Sequence, residues 1–128
     1  MTDAPAFVVR FSAAKVDRVD ESDGVLVGYD QGGHIVDVAV RARNAPARLD
    51  FVERERSAVP ARVTYDAEAD AIAVDLDDSR HADSAEAGPD MIVDWDVDGF
   101  LRGLEFLFVS RWFSPEATAV VQRHAVLI

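Results

Sequence analysis

The stretch MIVDWDVDGFLRGLEFLF, Met91 to Phe108, decides the fold. Two rules compete for it. Asp94, Asp96, Asp98, Gly99 and Glu105 satisfy D-x-[DN]-x-[DN]-G-x5-E, the spacing of a calcium-binding loop. The same residues describe a β-hairpin turning at Asp98-Gly99, because Asp-Gly between apolar runs favours a two-residue turn. That turn sets Trp95 opposite Arg102, Val93 opposite Leu104 and Met91 opposite Phe106, gathering one largely apolar face. The calcium-loop reading requires a helix on either side. Gly88-Pro89 breaks any helix just before the segment, and Leu104-Glu-Phe-Leu-Phe-Val is strand-like. The hairpin is the expected structure. Asp94, Asp96, Asp98 and Glu105 remain the metal ligands of the alternative.

Working outward, the same object recurs upstream. A Gly32-Gly33 turn pairs Tyr29 with Val36, Val27 with Val38 and Val25 with Val40, again forming an apolar face. A shift of 66 residues lays Val25–Val40 on Met91–Phe106, with Val27/Val93, Asp30/Asp96 and Gly33/Gly99 identical. A shift of 65 lays Phe7, Val9 and Phe11 on Ile72, Val74 and Leu76, and one extra loop residue near Gly88 reconciles the two shifts. Two tandem copies of one β unit follow. The first copy has Gly28, Gly32 and Ala39 where the second has Asp94, Asp98 and Glu105, so the carboxylates belong to one copy only. Gly32, Gly33, Asp98 and Gly99 are the structural turn residues of this reading.

The expected fold is mainly β (α+β), built from tandem antiparallel hairpin or meander units. The chain reads as one domain, 1–128, with a first repeat at 6–42, a connector at 44–60 and a second repeat at 62–108. A helix and tail occupy 114–128. Ser114-Pro115-Glu116 is a helix start, with a hydroxyl cap and proline at the first position, giving a helix over Pro115–Arg123. A second short helix is expected over Pro46–Arg56, where Asp50 and Arg54 stand at helical spacing. His81 reads as lying in an acidic loop.

Charge narrows the function. Residues 1–62 hold nine basic and ten acidic side chains, whereas 63–128 hold four and fourteen. Between Asp66 and Asp98 there are twelve carboxylates and one basic residue, Arg80. Such a surface repels phosphate backbones, so nucleic acid is not an expected partner. A basic protein is the expected one, with Asp75, Asp77 and Asp78 as contact residues. No run is apolar enough for a membrane helix, no secretory leader is evident at the start, and cysteine is absent, so a cytoplasmic location is expected. Lys15 is the one lysine available to guard sheet edges. A homodimer is therefore expected, through edge pairing or through the Phe106, Phe108, Trp112 and Phe113 cluster.

The segments Val63-Thr-Tyr-Asp-Ala-Glu-Ala-Asp-Ala-Ile-Ala-Val-Asp-Leu and Met91 to Leu107 resemble the YuzE-like family of small bacterial proteins, a domain of unknown function. Tyr65, Asp66, Glu68, Asp70, Asp94, Asp96, Asp98, Gly99, Gly103 and Glu105 carry the resemblance, over about residues 62–108, and residues 6–42 match it faintly. The resemblance implies a small antiparallel β fold with a helical element, and no catalytic residues. The residues themselves offer no nucleophile elbow, P-loop or dinucleotide fingerprint. His81, Asp83 and Glu86 match no known metal spacing. No cofactor is expected. A non-catalytic interaction or self-association module is the leading function, with a calcium- or magnesium-binding protein and an enzyme of unrecognised type as alternatives.

Overall fold

The computed structural model describes residues 6–42, 47–52, 62–76 and 81–127. Among these residues the strands are β1 (Ala6–Arg10), β2 (Arg18–Ser22), β3 (Val25–Tyr29), β4 (Ile35–Arg41), β5 (Ala47–Asp50), β6 (Arg62–Asp66), β7 (Ala71–Asp75), β8 (His81–Glu86), β9 (Met91–Asp96) and β10 (Leu101–Phe106). A single helical turn, α1 (Val109–Trp112), then α2 (Pro115–His124) and a short β11 (Val126–Leu127) complete the order. The strands form two sheets, ordered β2-β3-β4-β1-β5 and β11-β6-β7-β10-β9-β8. No helix among the described residues is long and apolar enough to cross a membrane.

The two sheets repeat one pairing scheme. Val25 lies opposite Val40 and Val27 opposite Val38; 66 residues later, Met91 lies opposite Phe106 and Val93 opposite Leu104. β1 runs antiparallel to β4 with Phe7 on Val40, as β7 does to β10 with Ile72 on Phe106. β2 flanks β3 with Val19 on Gly28, as β8 flanks β9 with Ser84 on Asp94. Period-two alternation places Phe7, Val9, Val27, Val38, Ile72, Val74, Val93 and Leu104 in a single core shared by both sheets. Phe11 joins the halves. Its ring stacks on Phe51 at 5.5 Å and meets Phe106 and Phe113 edge-on at 5.2 and 4.9 Å, the offset and T-shaped geometries that aromatic quadrupoles favour.

Several details differ from the sequence reading, each for a physical reason. The hairpin loops contain three residues rather than two. Asp96 N–H donates to the Phe100 carbonyl at 2.9 Å, and Gly99 N–H returns to the Asp96 carbonyl at 3.1 Å. Gly99 is left-handed (φ 79°), whereas Asp98 is not among the residues of positive φ. This is a type I turn closed by a left-handed glycine, the other common hairpin solution. The extra loop residue is absorbed by a β-bulge at Arg102, so Trp95 faces Leu101 rather than Arg102. Leu101 consequently enters the core while Arg102 is half-buried. The first hairpin carries the same bulge at Val36, and Tyr29 faces Ile35.

The helix expected over Pro46–Arg56 is not formed at 47–50, which is strand β5; residues 53–56 lie outside the described residues. Leu49 pairs with Val9 along the open edge of β1, in parallel. Tertiary pairing there outweighs a weak local helix preference. The acidic loop around residues 81–86 is likewise strand β8, held by backbone pairing to β9. The C-terminal helix starts as expected, with the Ser114 side chain accepting the Ala117 N–H at 3.1 Å, and it ends one residue later, at His124. The aromatic cluster is largely internal: Phe106 and Phe113 are buried, Trp112 is half-buried and Phe108 alone is exposed.

Candidate functional site

The second sheet concentrates the carboxylates, and hydrogen bonds decide what each can do. Asp96 stands just before the β9–β10 turn and is only 7% exposed. Its Oδ1 accepts the N–H groups of Asp98 and Phe100, both at 2.9 Å. An aspartate that binds backbone two residues ahead is an Asx-turn. Asp30 does the same in the first hairpin, its Oδ1 accepting from Gly32 and His34 at 2.9 Å each. Here a turn needs the carboxylate in both copies.

Asp94 is buried on β9 and accepts the Ser84 hydroxyl from β8 at 2.6 Å. Its cross-strand partner is Gly103. The equivalent pair in the first sheet is Gly28 and Asp37, the same two residue types with strands exchanged. The glycine is required on packing grounds: a Cβ at Gly103 would sit 2.6 Å from the Val74 carbonyl oxygen. Asp98 is exposed at the turn. Glu105 pairs with Ile92 and Ala73, toward the opposite end of β10. Four steps along the strand separate it from Leu101, roughly 13 Å at the usual rise. Asp94, Asp96 and Asp98 are thus brought to one end of the hairpin and Glu105 is not. Among the described residues no group of three or more His, Asp or Glu side chains is arranged to hold a metal ion.

The other motif acids serve the opposite end of the sheet. Asp66 Oδ1 accepts the Ala69 N–H at 3.0 Å and closes the β6–β7 turn. Asp70, left-handed at φ 54°, accepts the Ser110 N–H at 3.0 Å and its hydroxyl at 2.6 Å, tying that turn to α1. Asp90 receives the Trp112 indole N–H at 2.7 Å. Glu68 is exposed in the β6–β7 turn. Among the described residues every buried side-chain nitrogen and oxygen has a hydrogen-bond partner.

Of the expected contact acids, Asp75 sits in the interior of the sheet, half-buried between Arg62 on β6 and Gly103 on β10. Asp77 and Asp78 lie outside the described residues. His34 occupies its turn 3.7 Å from Asp30. The sequence reading missed an aromatic–cation cluster between the first sheet and α1: Arg18 lies over Tyr29 at 4.5 Å, Tyr29 faces Trp112 at 6.4 Å, and Arg111 lies over Trp112 at 5.2 Å. Burial, and then the nearby Asp20 carboxylate, raise the Tyr29 phenol above its ordinary value against the lowering effect of Arg18.

The site and fold together define a mainly β protein of two similar, largely antiparallel sheets whose acidic motif organises turns. Residues 62–110 match the family model described as "Protein of unknown function (DUF2283)". That segment opens on the first residue of β6 and closes on Ser110, the residue that Asp70 holds. No curated protein and no solved structure matches the chain.

Proposed function

We propose that the protein is a non-catalytic interaction module whose acidic second sheet binds basic protein chains. The observation that carries this reading is the use of the motif acids. Asp66, Asp70, Asp94 and Asp96 each accept hydrogen bonds that fix a turn, a helical turn or a strand edge. Carboxylates so engaged shape a surface instead of performing acid–base chemistry. Of the other described acids, Glu68, Asp83, Glu86 and Asp98 are exposed and give this half its surface charge.

Self-association is the second form of the proposal, and β11 favours it. Val126 and Leu127 are 52% and 63% exposed on an edge with no charged residue, the kind of edge that pairs with another chain. Sedimentation of the full chain, alone and with an oligolysine peptide, tests both forms. A faster species in either arm supports the module. An unchanged 14.0 kDa monomer in both arms overturns it.

A further inference from the structure

Asp-Gly occurs twice in the chain, at Asp23-Gly24 and Asp98-Gly99, and the fold holds the two differently. A glycine in second place has no side chain to obstruct approach of its amide nitrogen to the preceding carboxyl carbon. Both aspartates are exposed, so exposure does not separate them. Their backbone angles and hydrogen bonds do.

Asp23 and Gly24 are the whole connection between β2 and β3, because Ser22 pairs with Val25. Both have positive φ, 48° and 80°, which makes this loop a type I′ turn. Neither the Asp23 carbonyl nor the Gly24 N–H takes part in a backbone hydrogen bond among the described residues. The flanks are fixed by the Ser22–Val25 pair and by the Arg41 N–H, which donates to the Gly24 carbonyl at 3.0 Å. Turning over the peptide between Asp23 and Gly24 gives type II′, the other two-residue hairpin turn. There the first residue keeps its positive φ and takes ψ of about −120°. At that ψ the next nitrogen eclipses Cβ, as closure of a five-membered ring through Cγ requires. Asp98 differs at each point. Its φ is not positive. The Gly99 N–H, whose nitrogen would attack, donates to the Asp96 carbonyl at 3.1 Å, and the Asp98 N–H is held by Asp96 Oδ1 at 2.9 Å.

We infer that Asp23-Gly24 is a site of spontaneous isoaspartate formation, to which the fold directs the reaction and from which it shields Asp98-Gly99. The Gly24 nitrogen bonds to Asp23 Cγ, and its proton departs with the hydroxyl of the protonated carboxyl as water, leaving a succinimide. Water then adds to either ring carbonyl. Cleavage of the new N–Cγ bond restores aspartate. Cleavage of the original bond, between that nitrogen and the main-chain carbonyl carbon, leaves isoaspartate. Water is the only co-reactant. The product lengthens a two-residue loop by one backbone carbon and breaks its fit to the Ser22–Val25 pair. β2, which lies at the sheet edge beside β3, is loosened.

The full chain is incubated at physiological temperature and pH, folded or in guanidinium chloride, and digested with trypsin. Residues 19–41 carry Asp23 and residues 81–102 carry Asp98, and electron-transfer fragmentation distinguishes isoaspartate from aspartate in each. Releasing the attacking nitrogen from its hydrogen bond slows the Asp98 step by about tenfold, so folded Asp23 should convert at least that much faster. In guanidinium chloride the two rates should converge. Asp23→Asn keeps the turn preference and should convert faster still, with ammonia leaving in place of water. Amide exchange across Arg18–Ser22 should rise in the converted fraction. Equal rates in the folded chain, or a faster Asp98, overturn the inference. So does an Asp23 that stays unmodified when folded over a period that converts it when unfolded. A difference that persists in guanidinium chloride assigns the preference to local sequence and overturns the role of the fold. Unchanged exchange across β2 overturns the loosening.

Discussion

Replacing Asp96 by alanine removes the acceptor of two backbone N–H groups at once, those of Asp98 and Phe100, each at 2.9 Å. A hydrogen bond to a charged group contributes about 1.5–3 kcal/mol. The Asp98 amide lies in an exposed loop and regains water, whereas Phe100 is half-buried, so the net loss should be about 2 kcal/mol. Asp96→Asn keeps the oxygen acceptor and should cost less than half as much. Asp30→Ala deletes the same two bonds in the first hairpin and should match Asp96→Ala within about 1 kcal/mol. Urea unfolding followed by circular dichroism measures all three from midpoints at a common slope. A loss below about 0.5 kcal/mol for Asp96→Ala, the range of an ordinary surface substitution, would refute the turn-organising role. Equal losses for the alanine and asparagine variants would do the same.

Three other outcomes follow from the same geometry. Gly99→Val should cost about 1–3 kcal/mol, because a β-branched residue is forced to positive φ, whereas Asp94→Asn keeps an acceptor for Ser84 and should cost less in parallel thermal melts. Gly103→Ala should destabilise much more than Gly28→Ala: the new methyl of the first meets a strand carbonyl, while that of the second meets the side chains of Asp37 and Val16, which can move; urea melts would show the order. Tyr29 is raised in the folded state, so its contribution is fully present below about pH 10 and is lost as pH climbs through the raised value. Ultraviolet titration should show a late phenolate step that Tyr29→Phe removes, and stability measured against pH should fall over the same interval.

The turns were legible because glycine and aspartate carry turn chemistry in their own covalent structure. The recurrence of Asp30 and Asp96 at one position of two hairpins contains the Asx-turn, although Gly32-Gly33 and Asp98-Gly99, two residues further on, are the stronger turn signal. The bulges at Val36 and Arg102 were hidden, since an added residue leaves apolar spacing locally ambiguous between Ile35 and Val36. β8 has no apolar alternation at all; its strand character comes from β9, through backbone bonds that no side-chain pattern announces. β5 was obscured by Asp50 and Arg54 at helical spacing. Among the described residues Asp50 meets Arg10, at 3.3 Å and 40 residues away, and accepts the Val52 N–H. Within the candidate site, the identity of the acids could be read from the sequence, but their engagement depends on amides and hydroxyls contributed by other strands.

Asp94 and Asp96 hold the hairpin and its neighbouring strand through hydrogen bonds, and we expect Asp94, Asp96 and Asp98 not to serve as a cation loop. Titrating the full chain with calcium, magnesium and manganese tests it directly, by calorimetry alongside the melting temperature. A ligand that binds only the folded state stabilises it by RT ln(1 + [L]/Kd), about 2.7 kcal/mol at a hundredfold excess over Kd. The structure predicts no saturable heat and no rise in melting temperature with any of the three ions. A stoichiometric isotherm with a matching rise, both abolished by Asp98→Asn, would contradict it.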